Sequence, residues 1–369
     1  MRIYKTSEWV SIGHPDKVAD YISEYILDRM IEQDPDTRYA LEVQIKSDRV
    51  SLAGEVTTNA KVEYERLVRE AISEIGYTKP YQVRFGKDNT ICGEDVRVSR
   101  YINQQSPDIA QGVNKSGWGD QGIFFGYFCD ETLEGHGLDY SLAKNIGTAL
   151  YVEALGSKEL GIDIKTQVTV SYDDNYDPLV EEVIVAIPMV EDLEADGKRK
   201  VKELLKRFPE TKDANVIING TGAYCRHGPI ADSGTTGRKL VVDFYGGRSR
   251  IGGGSPWTKD GTKADLTLNL FAHEIAMEYF KNLKSAGAPV HRVEVELSCC
   301  IGRQEVLCQI MAYDVQGTIV YTSSDMNKVS TKSLINRYKL NKPTYAKLCR
   351  EGLFTTFDQR SKTKKEQKN

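Results

Sequence analysis

Long apolar runs are missing from this sequence. No stretch is long enough to cross a bilayer, and residues 1–5 lack the apolar core of a secretory signal. A pattern of paired cysteines is also missing. The seven cysteines are odd in number, and no two have C-x-x-C spacing, which argues against a disulfide framework and a zinc site. We therefore expect a cytoplasmic protein with no membrane partner.

A strong excess of one charge is also absent. The formal net charge is −4 over 369 residues, so bulk charge does not favour nucleic-acid binding. The chain is nevertheless long enough for two or three domains with their own apolar cores. A function must therefore be sought in local clusters of polar residues.

The segment Gly13–Lys17 places an imidazole, a carboxylate and an ammonium group at the start of a predicted helix. Pro15 suits the first helical turn, and apolar residues spaced by three and four continue to Met30. A helix N-terminus attracts anions, and Asp16 could hold a divalent cation that bridges to phosphate. A capped helix with solvated charges is the alternative interpretation.

Alternating residues predict two strands, 37–46 and 50–57, joined by a two-residue turn. That turn pairs Glu42 with Ala53, and it puts Glu55 diagonally from Glu42 on the polar face of the hairpin. Two carboxylates on one face suit a cation or an ammonium group. A solvated sheet face is the alternative.

Two loops, 220–239 and 246–265, interleave glycine with basic residues. Glycine lets backbone N–H groups approach an oxyanion closely, and Arg238 and Lys259 are among the cations in these loops. Asp265 adds a carboxylate for a metal. The pattern predicts a polyphosphate site, although the P-loop consensus is absent. A flexible basic surface loop is the alternative.

Hairpins followed by helices recur along the chain, which favours an α+β fold. Outside the hairpins, periodicity predicts short strands within 81–104, a strand over 240–245 and a helix over 266–283. The polar, glycine-containing segment 105–122 predicts a mobile loop. The lysine-rich tail 360–369 predicts disorder.

Taken together and in order, the motifs resemble those of the S-adenosylmethionine synthetase (methionine adenosyltransferase) family over nearly the whole chain. They are Gly13-His14-Pro15-Asp16-Lys17, Gly54-Glu55-Val56-Thr57-Thr58, Gln105-Ser106-Pro107-Asp108-Ile109, Gly119-Asp120-Gln121-Gly122, Thr236-Gly237-Arg238-Lys239, and Asp243 through Tyr245-Gly246-Gly247 to Gly252-Gly253-Gly254. The resemblance implies three similar units of mostly antiparallel sheet with helices on one face. We expect these units at 1–112, 113–226 and 227–369.

The same resemblance implies synthesis of S-adenosylmethionine from ATP and L-methionine. The methionine sulfur attacks C5′ of the ribose, and the displaced triphosphate is then hydrolysed to pyrophosphate and phosphate. Family members use Mg²⁺ and are activated by K⁺. They have active sites between two subunits, so we expect a homodimer, or a dimer of dimers.

Site residues can be carried over only by this resemblance. The catalytic group is His14, Lys165, Arg238, Lys239 and Lys259. The ATP site includes these residues together with Asp163, Tyr224, Asp232 and Ser255. The methionine site is Glu55, Gln105, Asp120, Asp232 and Lys263. Asp16 and Asp265 would bind Mg²⁺, and Glu42 would bind K⁺. Gln105, Asp108 and Lys115 belong to an expected lid loop.

Several positions differ from the family pattern. Ile12 stands where Glu is usual, Ala223 replaces an Arg, and Ser-Pro-Trp-Thr at 255–258 replaces a smaller Ala-Phe-Ser-Gly-like stretch. Tyr224 replaces a Phe that stacks on adenine, and its ring can still stack. The alternative is a non-catalytic, nucleotide-binding relative that acts as a partner subunit. Without the resemblance, the residues indicate only a magnesium-dependent polyphosphate enzyme, such as a kinase-like transferase.

Overall fold

The computed structural model describes residues 2–104 and 117–355. In that part of the chain the α-helices are α1 (Pro15–Ile31), α2 (Tyr64–Ile75), α3 (Lys79–Phe85), α4 (Leu138–Gly156), α5 (Glu194–Leu205), α6 (Leu240–Asp243), α7 (Ala264–Ser285), α8 (Thr331–Tyr338) and α9 (Tyr345–Glu351). The strands are β1 (Ile3–Val10), β2 (Arg38–Lys46), β3 (Arg49–Thr57), β4 (Arg97–Asn103), β5 (Gly122–Cys129), β6 (Lys165–Tyr172), β7 (Pro178–Ala186), β8 (Asn215–Ile218), β9 (Gly234–Thr235), β10 (Arg292–Cys299), β11 (Glu305–Tyr313) and β12 (Ile319–Lys328).

The strands form three four-stranded sheets, and each sheet takes one strand from a distant part of the chain. The orders are β1-β6-β7-β8, β12-β11-β10-β5 and β4-β3-β2-β9. Most pairs are antiparallel, while β3–β4 and β7–β8 are parallel. This mixed, antiparallel-rich architecture confirms the α+β fold class. The unit boundaries 1–112, 113–226 and 227–369 stay a prediction.

The hairpin of β2 and β3 has the predicted register. Glu42 pairs with Ala53, and Glu55 pairs with Ala40. Ser47 adopts a positive φ of 53°, which lets the two-residue turn close. Buried Tyr39, Leu41, Val43 and Ile45 face the core. The alternate residues of β2 and their partners on β3, which include Glu42 and Glu55, therefore lie on the outer face.

Helix α1 lies in the interior and joins N-terminal elements to a helix from the C-terminal end of the chain. It packs against α2, α9 and β2. Val18, Ile22, Ile26 and Met30 are completely buried, as the spacing predicts. Its polar residues are buried too, with Arg29 the exception. A helix that buries charge on this scale needs specific partners for each charged group.

Two local predictions are wrong. The stretch 81–104 is not a set of short strands: it contains α3, a 3-10 turn at Gly93–Asp95 and the single strand β4. Residues 240–245 form the short helix α6 and the turn after it, not a strand. Five apolar residues surround Asp243 without a period, and Asp243 is held by a buried ion pair to Lys17.

Some expectations lie outside the described residues, including the lid loop with Gln105, Asp108 and Lys115, and the tail 360–369. All seven cysteines lie inside them, and none is in a disulfide, as predicted. Among the described helices, none is both long and apolar enough to span a membrane.

Candidate active site

Asp16 is the centre of a charged cluster at the N-terminus of α1. Its buried carboxylate accepts a hydrogen bond from the backbone N–H of Thr235 at 2.9 Å and from Lys239 Nζ at 2.5 Å. Arg238 Nε lies 3.6 Å away. Burial alone would raise the pKa of Asp16, but the hydrogen bonds from Lys239 and Thr235 outweigh it and leave that pKa below its usual value.

His14 is the N-cap of α1, and its side chain faces the same cluster. Its Nδ1 accepts the backbone N–H of Asp16 at 3.2 Å. Burial, and then the positive charge of Lys239, lower the pKa of His14 to about 4. The ring is therefore neutral at physiological pH. Because Nδ1 accepts, the proton of the neutral ring is on Nε2, which is left as a donor.

Strand β9 brings Arg238 and Lys239 to this helix end. It adds two residues to the edge of the third sheet, where Gly234 pairs with Ile45. A Cβ on Gly234 would lie 1.9 Å from the Pro15 carbonyl oxygen, so only glycine permits this close approach. The structure thus explains why a glycine directly precedes the loop that carries the two cations.

A second charged cluster surrounds Lys259 and Asp265. Lys259 Nζ lies 2.5 Å from Asp265 Oδ2, and Asp265 is in the first turn of α7, where a carboxylate is favoured by the helix dipole. A Cβ on Gly254 would meet this carboxylate at 2.1 Å. The glycine loop 246–254 therefore reaches Asp265 because it has no side chain at this point.

Glu42 connects the loops that carry the two clusters. One carboxylate oxygen accepts a hydrogen bond from the hydroxyl of Thr236, and the other accepts from the hydroxyl of Thr258 at 3.1 Å. Thr236 precedes Arg238 by two residues, and Thr258 directly precedes Lys259. The position is exposed on the outer face of the hairpin. One carboxylate thus links both loops at a surface open to a ligand.

Asp163 and Tyr224 form the side of the site expected to bind nucleoside. Asp163 accepts hydrogen bonds from Gly228 N at 2.7 Å and from the Tyr224 hydroxyl at 3.0 Å. Burial raises the pKa of Asp163 to about 6. Lys165 starts β6 and pairs loosely with Glu8 at 3.6 Å. Its charge also contributes to the lowered pKa of His14, so the two residues are electrostatically close.

The remaining expected residues are placed less tightly. Asp232 is exposed, and its charge acts on both His14 and Asp163. Ser255 is near Gly237 and accepts the backbone N–H of Trp257 at 3.1 Å. Lys263 is the N-cap residue of α7, half-buried beside the Asp265 turn.

Two carboxylates expected on the methionine side are exposed. Glu55 lies on the outer face of the hairpin, and Asp120 lies near the start of β5. The Cys299 thiol donates to the Asp120 carbonyl oxygen at 3.4 Å. Burial raises the pKa of Cys299 to about 11, and the charges of Asp120 and Asp265 add to the effect. Asp120 and Asp265 therefore both act on Cys299.

Two buried carboxylates escaped the sequence-based prediction. Asp20 accepts the backbone N–H of Gly237 at 2.9 Å, and Glu24 accepts that of Thr258 at 2.6 Å. Burial raises the pKa of both, to about 6 for Asp20. A signal was available, because Asp16, Asp20, Glu24 and Asp28 recur every four residues and therefore lie along one face of the helix.

The departures from the family pattern are accommodated locally. Trp257 is buried, donates from Nε1 to Asp243 at 2.8 Å and covers the Lys17 ammonium at 4.6 Å from the ring centre. Ile12 is buried in the core, and Ala223 is exposed. Three buried histidines outside the candidate site have aromatic or acidic neighbours: His136 stacks on His273, and His291 Nδ1 lies 2.5 Å from Asp130.

The donor set fits bound cations that arrive with a polyphosphate. Within residues 2–104 and 117–355, no three His, Cys, Asp or Glu side chains are grouped as a self-sufficient metal site. Mg²⁺ commonly takes one or two carboxylates and completes its shell with phosphate and water, which suits Asp16 and Asp265. The carboxylate of Glu42 offers oxygen atoms, the donor type that binds K⁺.

A cavity of about 480 Å³, lined in part by Tyr172, Tyr176 and His291, lies elsewhere. Its walls contain none of the candidate residues, and we do not assign a substrate to it.

Comparison with known proteins covers almost the entire chain. Three family models match in succession: the N-terminal domain of S-adenosylmethionine synthetase over residues 2–107, the central domain over 115–224 and the C-terminal domain over 226–366. A curated S-adenosylmethionine synthase from Mesoplasma florum is 34% identical, with 96% of this chain and 95% of the relative aligned. One from Trichormus variabilis is 38% identical over 80% of this chain and 76% of the relative.

A solved structure has the same fold. It is described as an unusual S-adenosylmethionine synthetase from Campylobacter jejuni, and it superposes with a TM-score of 0.84 at 32% sequence identity. The match covers 95% of this chain and 94% of that chain.

Proposed function

This chain belongs to the S-adenosylmethionine synthetase family, and from that premise we propose how it forms S-adenosylmethionine from ATP and L-methionine. The methionine sulfur attacks C5′ of the ribose and displaces triphosphate, which is then hydrolysed to pyrophosphate and phosphate. The observation that carries the proposal is the cluster at the start of α1, where His14 and Asp16 meet Arg238 and Lys239. The chain is a methionine adenosyltransferase by family.

Negative charge develops on the bridging oxygen as the triphosphate leaves. The neutral His14 ring offers Nε2–H as a donor to that oxygen, and a donor already in place costs no reorganisation during the step. Arg238, Lys239, Lys165 and Lys259 supply positive charge to the other phosphate oxygens. The sulfur atom is already nucleophilic, so this step requires no general base.

Each expected metal-binding carboxylate is paired with a lysine expected to bind phosphate: Asp16 with Lys239, and Asp265 with Lys259. When the nucleotide binds, the lysines exchange a carboxylate for phosphate oxygens, and the carboxylates become available to a cation. Mg²⁺ at Asp16 and Asp265 would neutralise the triphosphate and assist its hydrolysis. Glu42 would hold K⁺ between the two loops.

The nucleoside and methionine are assigned to the two flanking groups of residues. Tyr224 stacks on adenine, with Asp163, Asp232 and Ser255 around the nucleotide. Glu55 and Asp120 receive the methionine ammonium group, and Lys263 faces its carboxylate, with Gln105 supplied by the lid. Support comes from the position of Glu55 on the outer face of the hairpin and of Lys263 beside Asp265.

We also propose a homodimer, or a dimer of such dimers, since the exposed hairpin face needs a second surface to enclose a substrate. A fully active monomer in light scattering would contradict this assembly. A cytoplasmic location is proposed from the free cysteines.

A single product assay tests the function. The protein is incubated with ATP, methionine, Mg²⁺ and K⁺, and the products are identified by mass spectrometry. We expect S-adenosylmethionine with equimolar pyrophosphate and phosphate, and their loss in Lys239→Ala. No product would support the non-catalytic partner subunit, and a phosphorylated acceptor would support a kinase-like transferase.

A further inference from the structure

Thr258 has an unfavourable backbone conformation next to a candidate catalytic lysine. Six non-glycine residues in the described part of the chain have positive φ, and Thr258, at 72°, is the β-branched one among them. Branched side chains rarely adopt this left-handed conformation. Thr258 is 1% exposed and directly precedes Lys259.

Three hydrogen bonds hold Thr258 in this conformation. Its N–H donates to Glu24 Oε1 at 2.6 Å, its carbonyl accepts from Leu41 N at 3.1 Å, and its hydroxyl donates to Glu42 Oε1 at 3.1 Å. Strained backbone persists where its surroundings determine it, and it is concentrated at functional sites. Here every polar group of the residue has a partner.

The bonds come from two different elements. Glu24 is buried in α1, while Glu42 and Leu41 are in β2. The next residue, Lys259, then forms an isolated antiparallel bridge with Ala40 and reaches Asp265. A change of φ at Thr258 would redirect the chain at the point where Lys259 leaves it.

We propose that Thr258 is a positioning residue, which Glu24 and Glu42 hold in the left-handed conformation so that Lys259 reaches the triphosphate. The inference rests on the proposed role of Lys259. Thr258 itself touches no substrate. Its hydroxyl fixes the loop to Glu42, and its N–H fixes the loop to α1.

Three variants separate the hydroxyl from the backbone. Thr258→Ser keeps the hydroxyl, Thr258→Ala removes it, and Thr258→Gly removes it while relieving the strain at positive φ. We expect kcat to fall about tenfold in the Ala and Gly variants, since each loses a hydrogen bond to a carboxylate. The Ser variant should keep kcat near the wild-type value. The Gly variant should melt at a higher temperature than the Ala variant, because glycine adopts the positive φ without strain, and the KM for methionine should stay unchanged.

The comparison of Thr258→Ala with Thr258→Gly is the decisive result, because a merely structural residue would give the more stable Gly variant the higher kcat. Wild-type kcat in the Ala or Gly variant overturns the proposal, as does a kcat that recovers in the Gly variant together with its melting temperature. Lys259→Ala separates the role of Lys259 from the positioning role of Thr258. If that variant is fully active, the assigned role of Lys259 fails; if it is inactive while Thr258→Ala is fully active, the positioning role alone fails.

The acceptor on α1 provides a second test. Glu24→Gln keeps an oxygen acceptor for Thr258 N–H, and Glu24→Leu removes it. We expect kcat near wild type in the first variant and reduced about tenfold in the second, the effect of losing one hydrogen bond. Equal kcat values in the two variants would overturn the part assigned to Glu24.

Discussion

His14→Asn separates the chemical role of His14 from its structural role. His14 caps α1 through Nδ1, which accepts the N–H of Asp16. The Oδ1 atom of asparagine occupies the same branch position, and asparagine is among the preferred N-cap residues. The variant therefore keeps the cap and loses only the Nε2–H donor.

The expected loss follows from that single donor. Removing one preorganised donor to a developing oxyanion typically lowers kcat by about 10²–10³-fold, or about 2.7–4 kcal/mol. Binding of ATP should change little, because Arg238, Lys239, Lys165 and Lys259 remain. His14→Ala is the matched control: it should lose the same factor in kcat and a further ~0.5–2 kcal/mol of stability, because the cap is gone.

Protonation has a predictable sign. The folded pKa of His14 is about 4, below its ordinary value of 6.5, so the unfolded chain binds more protons between these values. Stability contributed by the neutral ring is complete above pH 6.5 and is lost as pH falls towards 4. His14→Asn removes this dependence, and above pH 6.5 the kcat ratio of wild type to variant should be constant.

The assay is single-turnover formation of S-adenosylmethionine, with calorimetric titration of a non-hydrolysable ATP analogue to measure affinity. Equal losses in nucleotide affinity and turnover would rule out this role, since His14 would then contribute to ground-state binding rather than to the transition state.

Three further predictions concern the fold and the lid. Lys17→Met should lower the free energy of unfolding by about 3–5 kcal/mol, because it leaves buried Asp20 and Asp243 without their cation. The control Arg29→Met removes an exposed ion pair on the same helix and should lower it by at most about 1 kcal/mol. Equal urea midpoints for the two variants would contradict the importance of the buried pairs. Asp163 has a raised pKa of about 6, so its protonated carboxyl contributes to the free energy of unfolding, and this contribution is lost as pH rises through that value. Asp163→Asn should gain about 3 kcal/mol relative to wild type between pH 4 and 7, and a pH-independent difference would disprove the assignment. Trypsin should cut after Lys115 more slowly once methionine and a non-hydrolysable ATP analogue are bound, and an unchanged rate would argue against a ligand-ordered lid.

Local patterns predicted the β2–β3 hairpin well for a physical reason. A period of two residues and a two-residue turn leave one register that buries Leu41 and Val43 together, so Glu42 had to pair with Ala53. The stretch 240–245 lacked such a constraint. Asp243 in this stretch contacts Lys17 and Trp257, and neither contact follows from the local sequence pattern.

The charges of the site were readable, but their partners were not. The resemblance supplied Asp16, Lys239, Lys259 and Asp265 as separate expectations. The structure adds that they form two carboxylate–lysine pairs. The first pair depends on β9, a strand of two residues joined to a sheet edge more than 180 positions away in sequence order, roughly the scale of a whole domain. No periodicity could reveal so short a strand.

Helix α1 holds loops from distant parts of the chain at fixed positions along its axis. Four successive acids on its buried face accept backbone N–H groups from three segments: Asp16 and Asp20 from Thr235 and Gly237, Glu24 from Thr258, and Asp28 from 344–346. Residues four apart on a helix lie about one turn, or roughly 6 Å, from each other. The helix therefore sets the spacing of the Arg238–Lys239 loop and the Lys259 loop along one rigid axis. Burial of these acids is unfavourable in isolation, and it is tolerated because each carboxylate accepts hydrogen bonds from backbone N–H groups of these loops. The polar stripe of α1 is thus a structural requirement of the phosphate side of the site.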